Sequence, residues 1–202
     1  MFKTLQSIIL ASESPRRKGL LLSVGLDFKV YPSRIEESAW PDGTAGPSKS
    51  PAGIAQRWAG LKAKSVAALH PDSWILGADT IVVLDSRIYG KPSSRAEAIR
   101  MLVDLNGRTH EVITGMCLIK PGGIDRRSGS VITRVRFKTL SMAEIEAYVR
   151  TGEPMDKAGA YGIQGIGAFL VSAVEGSYTN VVGLPLCEVV DWLVSESIIE
   201  PA

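Results

Sequence analysis

Cysteine and histidine are scarce in this 202-residue chain, which contains two of each. Cys117 and Cys187 lie among apolar neighbours without metal or redox spacing, so both are expected to be buried as small hydrophobic side chains. His70 and His110 are also isolated in the sequence, which argues against a metal site or a catalytic triad built on histidine. The net charge of +2 is too small to indicate nucleic-acid binding by itself.

Long apolar runs are also missing. No stretch approaches the roughly 20 residues that a membrane-spanning helix needs. The first eleven residues carry one lysine and an apolar core that is too short for a secretory signal, so we expect a cytoplasmic protein. Hydrophobic residues at 45% and charged residues at 22% are ordinary for a globular chain and exclude a disordered one.

Strand-like and helix-like patterns alternate along the chain, which favours an α/β fold. Ser14-Pro15 and Ser50-Pro51 each combine an N-cap with a proline at the first helical position, and Gly25 ends the first helix. Asp85-Ser86 marks the turn of a hairpin. We expect one domain over residues 1–202, with a mixed, twisted sheet flanked by helices and two lobes around a cleft.

The remaining predicted elements follow the same rules. Two capping boxes, Ser94/Glu97 and Ser141/Glu144, predict the starts of two further helices. The predicted strands cover residues 7–11, 27–32, 74–84, 87–89, 109–120, 130–139 and 168–174, and a last helix covers residues 185–194.

The segment SESPRR, residues 12–17, leads from a strand into a helix N-terminus. Free N–H groups and the positive end of the helix dipole at such a position suit a phosphate group. Arg16 and Arg17 lie at the unfavourable end of that dipole, and an anion would offset the repulsion. A solvated basic turn explains the same residues, so this segment alone leaves both interpretations open.

Asp79 interrupts the apolar run ILGADTIVVL, residues 75–84. An unpaired buried carboxylate is costly, and local violations of this kind tend to mark functional sites. A carboxylate near a strand end can hold Mg²⁺ or accept a proton from water. The structural alternative is an Asp-Thr turn or bulge whose side chain bonds its own backbone.

The segment GEPMDKAGAYGIQGIG, residues 152–167, combines glycines with charged, aromatic and amide side chains. Backbone at glycine can approach a ligand closely, and the Gln164 amide can both donate and accept, which suits the edge of a base. A structural connection is the alternative. Neither a P-loop nor a Rossmann glycine motif is present.

Together these segments closely resemble the Maf family of nucleotide pyrophosphatases. The matching stretches, in family order, are LASESPRR (10–17), GADT (77–80), GKP (90–92), GRTHEVITG (107–115), residues 152–167 and GSYTNVVGLP (176–185). The resemblance implies a fold similar to that of the inosine triphosphate pyrophosphatases. It also implies metal-dependent cleavage of a nucleoside triphosphate between the α and β phosphates, with Mg²⁺ or Mn²⁺ as the cofactor.

The resemblance also implies roles for particular residues. Asp79 falls on the catalytic carboxylate and Glu37 on a second acidic position near the metal, while Lys62 and Lys91 fall on phosphate-contacting lysines. Arg17 is expected to neutralise phosphate charge.

Arg16, Thr80 and Gln164 fall on positions that distinguish the branch acting on dTTP and UTP from the branch acting on 7-methyl-GTP. Two departures from the family pattern stand out. Gly60 replaces a frequent arginine, and the loop over residues 41–50 is longer and richer in proline.

Two alternatives stay open. One is the same chemistry on a modified nucleotide, such as 7-methyl-GTP. The other is a regulator of cell division (septum formation) that acts by binding, for which the basic positions Arg126, Arg127, Arg134 and Arg136 give modest support. For the enzyme we expect a nucleoside triphosphate as the partner, no stable nucleic-acid complex and no membrane association, with a homodimer as one compatible assembly.

Overall fold

A computed structural model describes residues 1–35, 50–123 and 126–202. Its strands are β1 (Phe2–Thr4), β2 (Ile8–Leu10), β3 (Lys29–Val30), β4 (Trp74–Leu84), β5 (Arg87–Tyr89), β6 (Thr109–Ile119), β7 (Arg126–Phe137), β8 (Val171–Glu175) and β9 (Ile199–Pro201). Its α-helices are α1 (Pro15–Ser23), α2 (Pro51–Ala67), α3 (Arg95–Leu105), α4 (Met142–Arg150), α5 (Tyr178–Val182) and α6 (Leu186–Ser195). Three 3₁₀ segments cover Glu153–Asp156, Ala158–Ala160 and Gly165–Leu170.

The predicted α/β class with a mixed sheet is confirmed. Seven strands form one sheet in the order β3-β2-β4-β6-β7-β8, and β5 pairs with β4. The strands β3, β2 and β4 are parallel, whereas β4, β6, β7 and β8 are successively antiparallel. A separate antiparallel pair joins β1 to β9. Apolar side chains fill both faces of the large sheet beneath the helices.

The local helix signals act as predicted. The Ser14 and Ser50 hydroxyls accept from the third backbone N–H of α1 and α2, and proline occupies the first turn of both helices. Gly25 follows α1 with φ +83°, a left-handed conformation that favours glycine. Ser141 and Glu144 form the predicted reciprocal capping box of α4.

Several sequence predictions need correction. Cys117 is buried as expected, but Cys187 is exposed, because α6 turns its face with Val189, Trp192 and Leu193 towards the core. Ser94 caps α3, but the Glu97 carboxylate accepts from the backbone N and hydroxyl of Ser93 instead of returning to Ser94. The strand predicted over residues 27–32 has only two paired residues. The strand predicted over residues 168–174 begins at Val171, because the preceding residues form a 3₁₀ segment.

Helix α2 packs unusually close to the sheet at two glycines. A Cβ at Gly77 would collide with the Ala59 carbonyl, and one at Gly115 would collide with the Ala55 backbone. Ala63 also lies within 2.9 Å of the Cβ position at Gly77. Because only glycine admits this approach, the two positions fix how α2 lies across β4 and β6. No helix in the described parts of the chain is long and apolar enough to cross a membrane.

Candidate active site

The middle of β4 has an open edge. On that side β2 pairs with β4 only as far as Leu76, and β5 pairs with it only from Val82 onward. The opposite edge of β4 is fully paired with β6 across the same stretch. The open stretch, residues 77–81, contains Asp79 and Thr80. Two polar side chains therefore lie on an unpaired stretch of an interior strand of the large sheet.

Separate sequence motifs converge on this gap. The chain leaving β2 forms the SESPRR turn, and the chain leaving β5 forms the GKP turn. The glycine-rich segment also reaches it, because Gly159 N donates to the Gly90 carbonyl at 3.0 Å. Gly159 has φ +68°, and a Cβ there would lie 2.9 Å from a Val82 methyl group. Strand ends that interrupt one edge of β4 therefore bring distant motifs together.

On the α2 face of the sheet, Asp79 is paired with a lysine. Lys62 Nζ lies 2.6 Å from Asp79 Oδ1, and the two side chains are only 6% and 13% exposed. Among the residues that the structure describes, Lys62 supplies the sole hydrogen bond to the Asp79 carboxylate. The contact gives the largely buried Asp79 carboxylate an ion-pair partner at Oδ1 and leaves the Oδ2 lone pairs for another ligand.

Thr80 points to the opposite face, as strand alternation requires. Its hydroxyl accepts from Arg17 Nη2 at 3.1 Å, lies 2.9 Å from Thr114 Oγ1 and donates to the Gly183 carbonyl at 3.3 Å. A hydroxyl has one proton and two lone pairs. The protein therefore uses the hydrogen-bonding capacity of Thr80 in this structure.

Arg17 is buried at the centre of this second cluster. Its Nε donates to the Gly183 carbonyl at 2.7 Å and its Nη1 donates to Ser12 Oγ at 2.9 Å, in addition to the contact with Thr80. These bonds hold the guanidinium in one orientation beside the gap. The two arginines of the SESPRR turn differ in burial. Arg17 is 9% exposed, whereas the Arg16 side chain is 26% exposed, so Arg17 does not belong to a solvated basic turn.

Arg16 and Gln164 line one open pocket of about 480 Å³, together with Pro15, Gly19, Leu20 and Ser23. Three of these residues, Arg16, Ser23 and Gln164, have polar side chains that could orient a small ligand. Arg16 Nη1 also donates to Asp156 Oδ2 at 3.1 Å. Although burial opposes it, hydrogen bonds from Lys157 and Arg16 lower the pKa of Asp156.

The other residues of the sequence prediction have different positions. Lys91 is exposed two residues beyond β5. Glu37 and most of the proline-rich loop, residues 41–49, lie outside the described residues. At Gly60 a Cβ would lie 3.9 Å from Arg126 Nη1, so an arginine of β7 lies beside the position where the family resemblance led us to expect one. The basic positions Arg126, Arg134 and Arg136 are exposed.

His110 takes no part in the gap and is a buried core residue. Its Nε2 lies 2.7 Å from the Tyr161 hydroxyl, and Phe137 packs edge-on against its ring. Burial lowers the pKa of His110 to about 4, so the ring is neutral at physiological pH. No sequence pattern indicates this pair, although His110 lies in GRTHEVITG and Tyr161 lies in the glycine-rich segment.

Three further contacts were not predicted from the sequence. Ser12 accepts from Arg17, Glu153 accepts from the backbone of Ile166 and Gly167, and Asp156 accepts from Lys157. The available signal was the presence of charged residues among glycines in residues 152–167. Their contacts could not be read from spacing, because they depend on how this segment folds against α1 and α4.

A lysine–carboxylate pair and an oriented arginine beside a gap in a mixed sheet supply the charges that enzymes use on phosphorylated substrates. The comparison with protein families gives the narrower class. The chain belongs to the family of Maf-like proteins, whose family model matches residues 7–196.

Several relatives named dTTP/UTP pyrophosphatase are similar over nearly the full length of both chains. The relative from Geobacter metallireducens is 50% identical over 184 residues, covering 91% of this chain and 93% of its own. The relative from Moorella thermoacetica is 48% identical, covering 94% of each chain. The relative from Desulfotalea psychrophila is 45% identical, covering 98% of this chain and 99% of its own.

Proposed function

We propose that this protein hydrolyses dTTP and UTP to the monophosphate and pyrophosphate. The observation that carries the proposal is the Lys62–Asp79 contact at the open edge of β4, in a chain about half identical to proteins named dTTP/UTP pyrophosphatase. The relatives' names supply the substrates, and the gap supplies a charged site of suitable chemistry.

A divalent cation, Mg²⁺ or Mn²⁺, fits this site. Mg²⁺ is commonly held by one or two carboxylates together with substrate phosphates and water. Asp79 offers an oxygen that Lys62 does not use, and Glu37 is the proposed second ligand. No group of three or more metal-binding side chains occurs in residues 1–35, 50–123 and 126–202. When bound, the cation would neutralise charge on the phosphates.

The protein's own residues account for the remaining steps. Asp79 orients a water molecule for in-line attack on the α-phosphorus and accepts its proton. Lys62 holds the carboxylate in one orientation before the substrate arrives. Lys62, Lys91 and Arg17 then stabilise negative charge on the phosphates and on the departing pyrophosphate. Arg17 is held for this role by Ser12, Thr80 and the Gly183 carbonyl.

Base selection is proposed for the pocket between α1 and the glycine-rich segment. Arg16 and Gln164 contact the base directly, since both line this pocket. Thr80 was expected to help select the base, but its hydroxyl bonds are taken up by Arg17, Thr114 and Gly183, so it acts on the phosphates through Arg17 instead. Thymine and uracil offer two carbonyl acceptors and one N–H donor, which an amide can pair with.

The alternatives are less well supported. The similar relatives are named for dTTP and UTP, which disfavours a modified nucleotide such as 7-methyl-GTP. The regulator hypothesis relied on four basic positions, and two of these already have protein partners. Arg127 donates to Ser195 Oγ, and Arg134 lies 4.0 Å from Glu175. We expect that the protein forms no stable complex with nucleic acid. The cytoplasmic location, and a homodimer as one compatible assembly, stay predictions.

A nucleotide panel tests the proposal. dTTP, UTP, CTP, dATP, GTP and 7-methyl-GTP are each incubated with the protein and Mg²⁺ or Mn²⁺, and pyrophosphate and orthophosphate are measured separately. We expect pyrophosphate from dTTP and UTP at the highest kcat/KM, and no release when the cation is chelated. Preference for 7-methyl-GTP, or the absence of pyrophosphate from every nucleotide, would overturn the proposal.

A further inference from the structure

The last part of the glycine-rich segment, residues 162–167, is held at both ends by one pair of side chains. Tyr148 of α4 accepts a hydrogen bond from Gly162 N at 3.2 Å and donates to Glu153 Oε1 at 2.9 Å. The same Oε1 accepts from Gly167 N at 2.8 Å, and Oε2 accepts from Ile166 N at 3.0 Å. Residues 162–167 therefore form a loop whose two ends meet at this Tyr148–Glu153 pair.

The glycines of this loop are needed for that contact. A Cβ at Gly167 would lie 2.5 Å from Tyr148 Oη, and one at Gly165 would lie 2.9 Å from Glu153 Oε2. Gly165 also has φ +74°, a conformation that side chains disfavour. The loop thus lies directly on the pair, with exposed Gln164 between its two attached ends.

The charge states agree with this arrangement. Burial raises the pKa of Tyr148, and the Glu153 carboxylate raises it further, so the phenol keeps its proton and can donate. Burial opposes ionisation of Glu153, but hydrogen bonds from Gly167, Ile166 and Tyr148 outweigh it and lower its pKa. At neutral pH the carboxylate therefore accepts from both backbone N–H groups at once.

The other wall of the pocket is attached to the same stretch of chain. Lys157 Nζ donates to the Glu153 carbonyl and to Asp156 Oδ1, both at 2.6 Å. Asp156 in turn accepts from Arg16. The two pocket residues proposed to contact the base, Arg16 and Gln164, are thus both connected to residues 153–157.

We propose that Tyr148 and Glu153 are positioning residues for base selection, which fix the main chain on both sides of Gln164 and so hold its amide towards the base. The inference rests on the proposed function, because base selection presupposes a nucleotide substrate. Neither side chain lines the pocket. Their effect should therefore pass through Gln164, which separates this role from a general structural one.

The test uses the full-length Y148F, E153Q, Q164A and Y148F/Q164A variants, with E146Q as the control because Glu146 is an exposed carboxylate on the same helix. Phe keeps the buried ring of Tyr148 and removes only the hydroxyl. Gln at position 153 keeps one acceptor oxygen and places an amide donor where the carboxylate accepted. For each variant kcat and KM are measured with UTP and CTP by pyrophosphate release, and Tm is recorded.

We expect Y148F and E153Q each to lower the UTP-over-CTP ratio of kcat/KM by about tenfold, chiefly through the KM for UTP, because a base contact is made equally in the ground and transition states. E146Q should leave the ratio unchanged. Adding Y148F to Q164A should lower the ratio no further, since the effect passes through Gln164.

Two results overturn the inference alone: a folded and selective wild type whose ratio survives both Y148F and E153Q, or a fully additive double variant. If Y148F does not fold, E153Q decides in the same way. A wild type with no preference for UTP overturns the proposed function, and this inference falls with it.

Discussion

Lys62 and Asp79 come from different elements, yet Lys62 Nζ lies 2.6 Å from Asp79 Oδ1 in a largely buried contact. Helix α2 reaches this position because Gly77 and Gly115 let it approach β4 and β6 closely. Asp79 is next to both glycines, because it follows Gly77 by two residues on β4 and lies opposite Gly115 of β6. The proposed catalytic carboxylate thus depends on packing that only glycine allows.

Replacing Asp79 with Asn should abolish hydrolysis while the fold is kept, because the two side chains are nearly isosteric. Loss of the charge that holds the cation and water should lower kcat by at least about 100-fold. The measurement is pyrophosphate release from UTP, with circular dichroism to check folding. D72N, at an exposed carboxylate just before β4, is the matched control. Activity of D79N within about tenfold of wild type would exclude the proposed role.

Replacing Gln164 with Ala should reduce selectivity more than catalysis. Loss of the amide leaves polar groups of the base without partners, which costs about 1–3 kcal/mol, or roughly five- to 150-fold. We expect lower kcat/KM with dTTP and UTP and little change in the low value with CTP. If the UTP-over-CTP ratio is the same in Q164A and wild type, Gln164 does not read the base.

The two substitutions T80V and T80S test whether Thr80 acts through Arg17. Val removes the acceptor for Arg17 Nη2, so T80V should lower kcat/KM for UTP and CTP by a similar factor, about tenfold. Ser keeps the hydroxyl, so T80S should stay within about threefold of wild type. A changed UTP-over-CTP ratio in T80V, with the UTP rate preserved, would instead indicate direct contact between Thr80 and the base.

Features that depend on a few neighbouring residues could be predicted from the sequence. Ser14-Pro15 and the Ser141/Glu144 box mark helix starts because caps act within one turn. Asp79 was found because a charge stands out in an apolar run. The contacts between motifs could not be predicted, because Lys62 meets Asp79 only through the placement of α2 on the sheet.

The gap in β4 shows the same limit. Sequence patterns placed strands at residues 7–11 and 87–89, but did not indicate that β2 and β5 pair with opposite ends of β4. The short 3₁₀ segments of residues 153–170 were missed because their shape comes from Glu153 and Tyr148, which are not local turn signals.

His110 should make folding sensitive to acid. Its pKa is about 4 in the folded protein and about 6.5 when unfolded, so the unfolded chain binds more protons between these values. Its contribution is therefore present above pH 6.5 and is lost as pH falls towards 4, with a total of about 3 kcal/mol. Urea unfolding of wild type and H110Q at pH 7 and pH 4 measures this. H110Q should lose about 3 kcal/mol less than wild type, and equal losses would contradict the assignment.

The central claim is that water attacks the α-phosphorus of a pyrimidine nucleoside triphosphate, and the products formed from UTP in ¹⁸O-labelled water test it most directly. Mass spectrometry and ³¹P NMR together identify each product and the position of the label. We predict UMP that carries one ¹⁸O atom, together with unlabelled pyrophosphate. UDP with labelled orthophosphate would place attack at the γ-phosphorus, and UMP with labelled pyrophosphate would place it at the β-phosphorus. Either result would contradict the account.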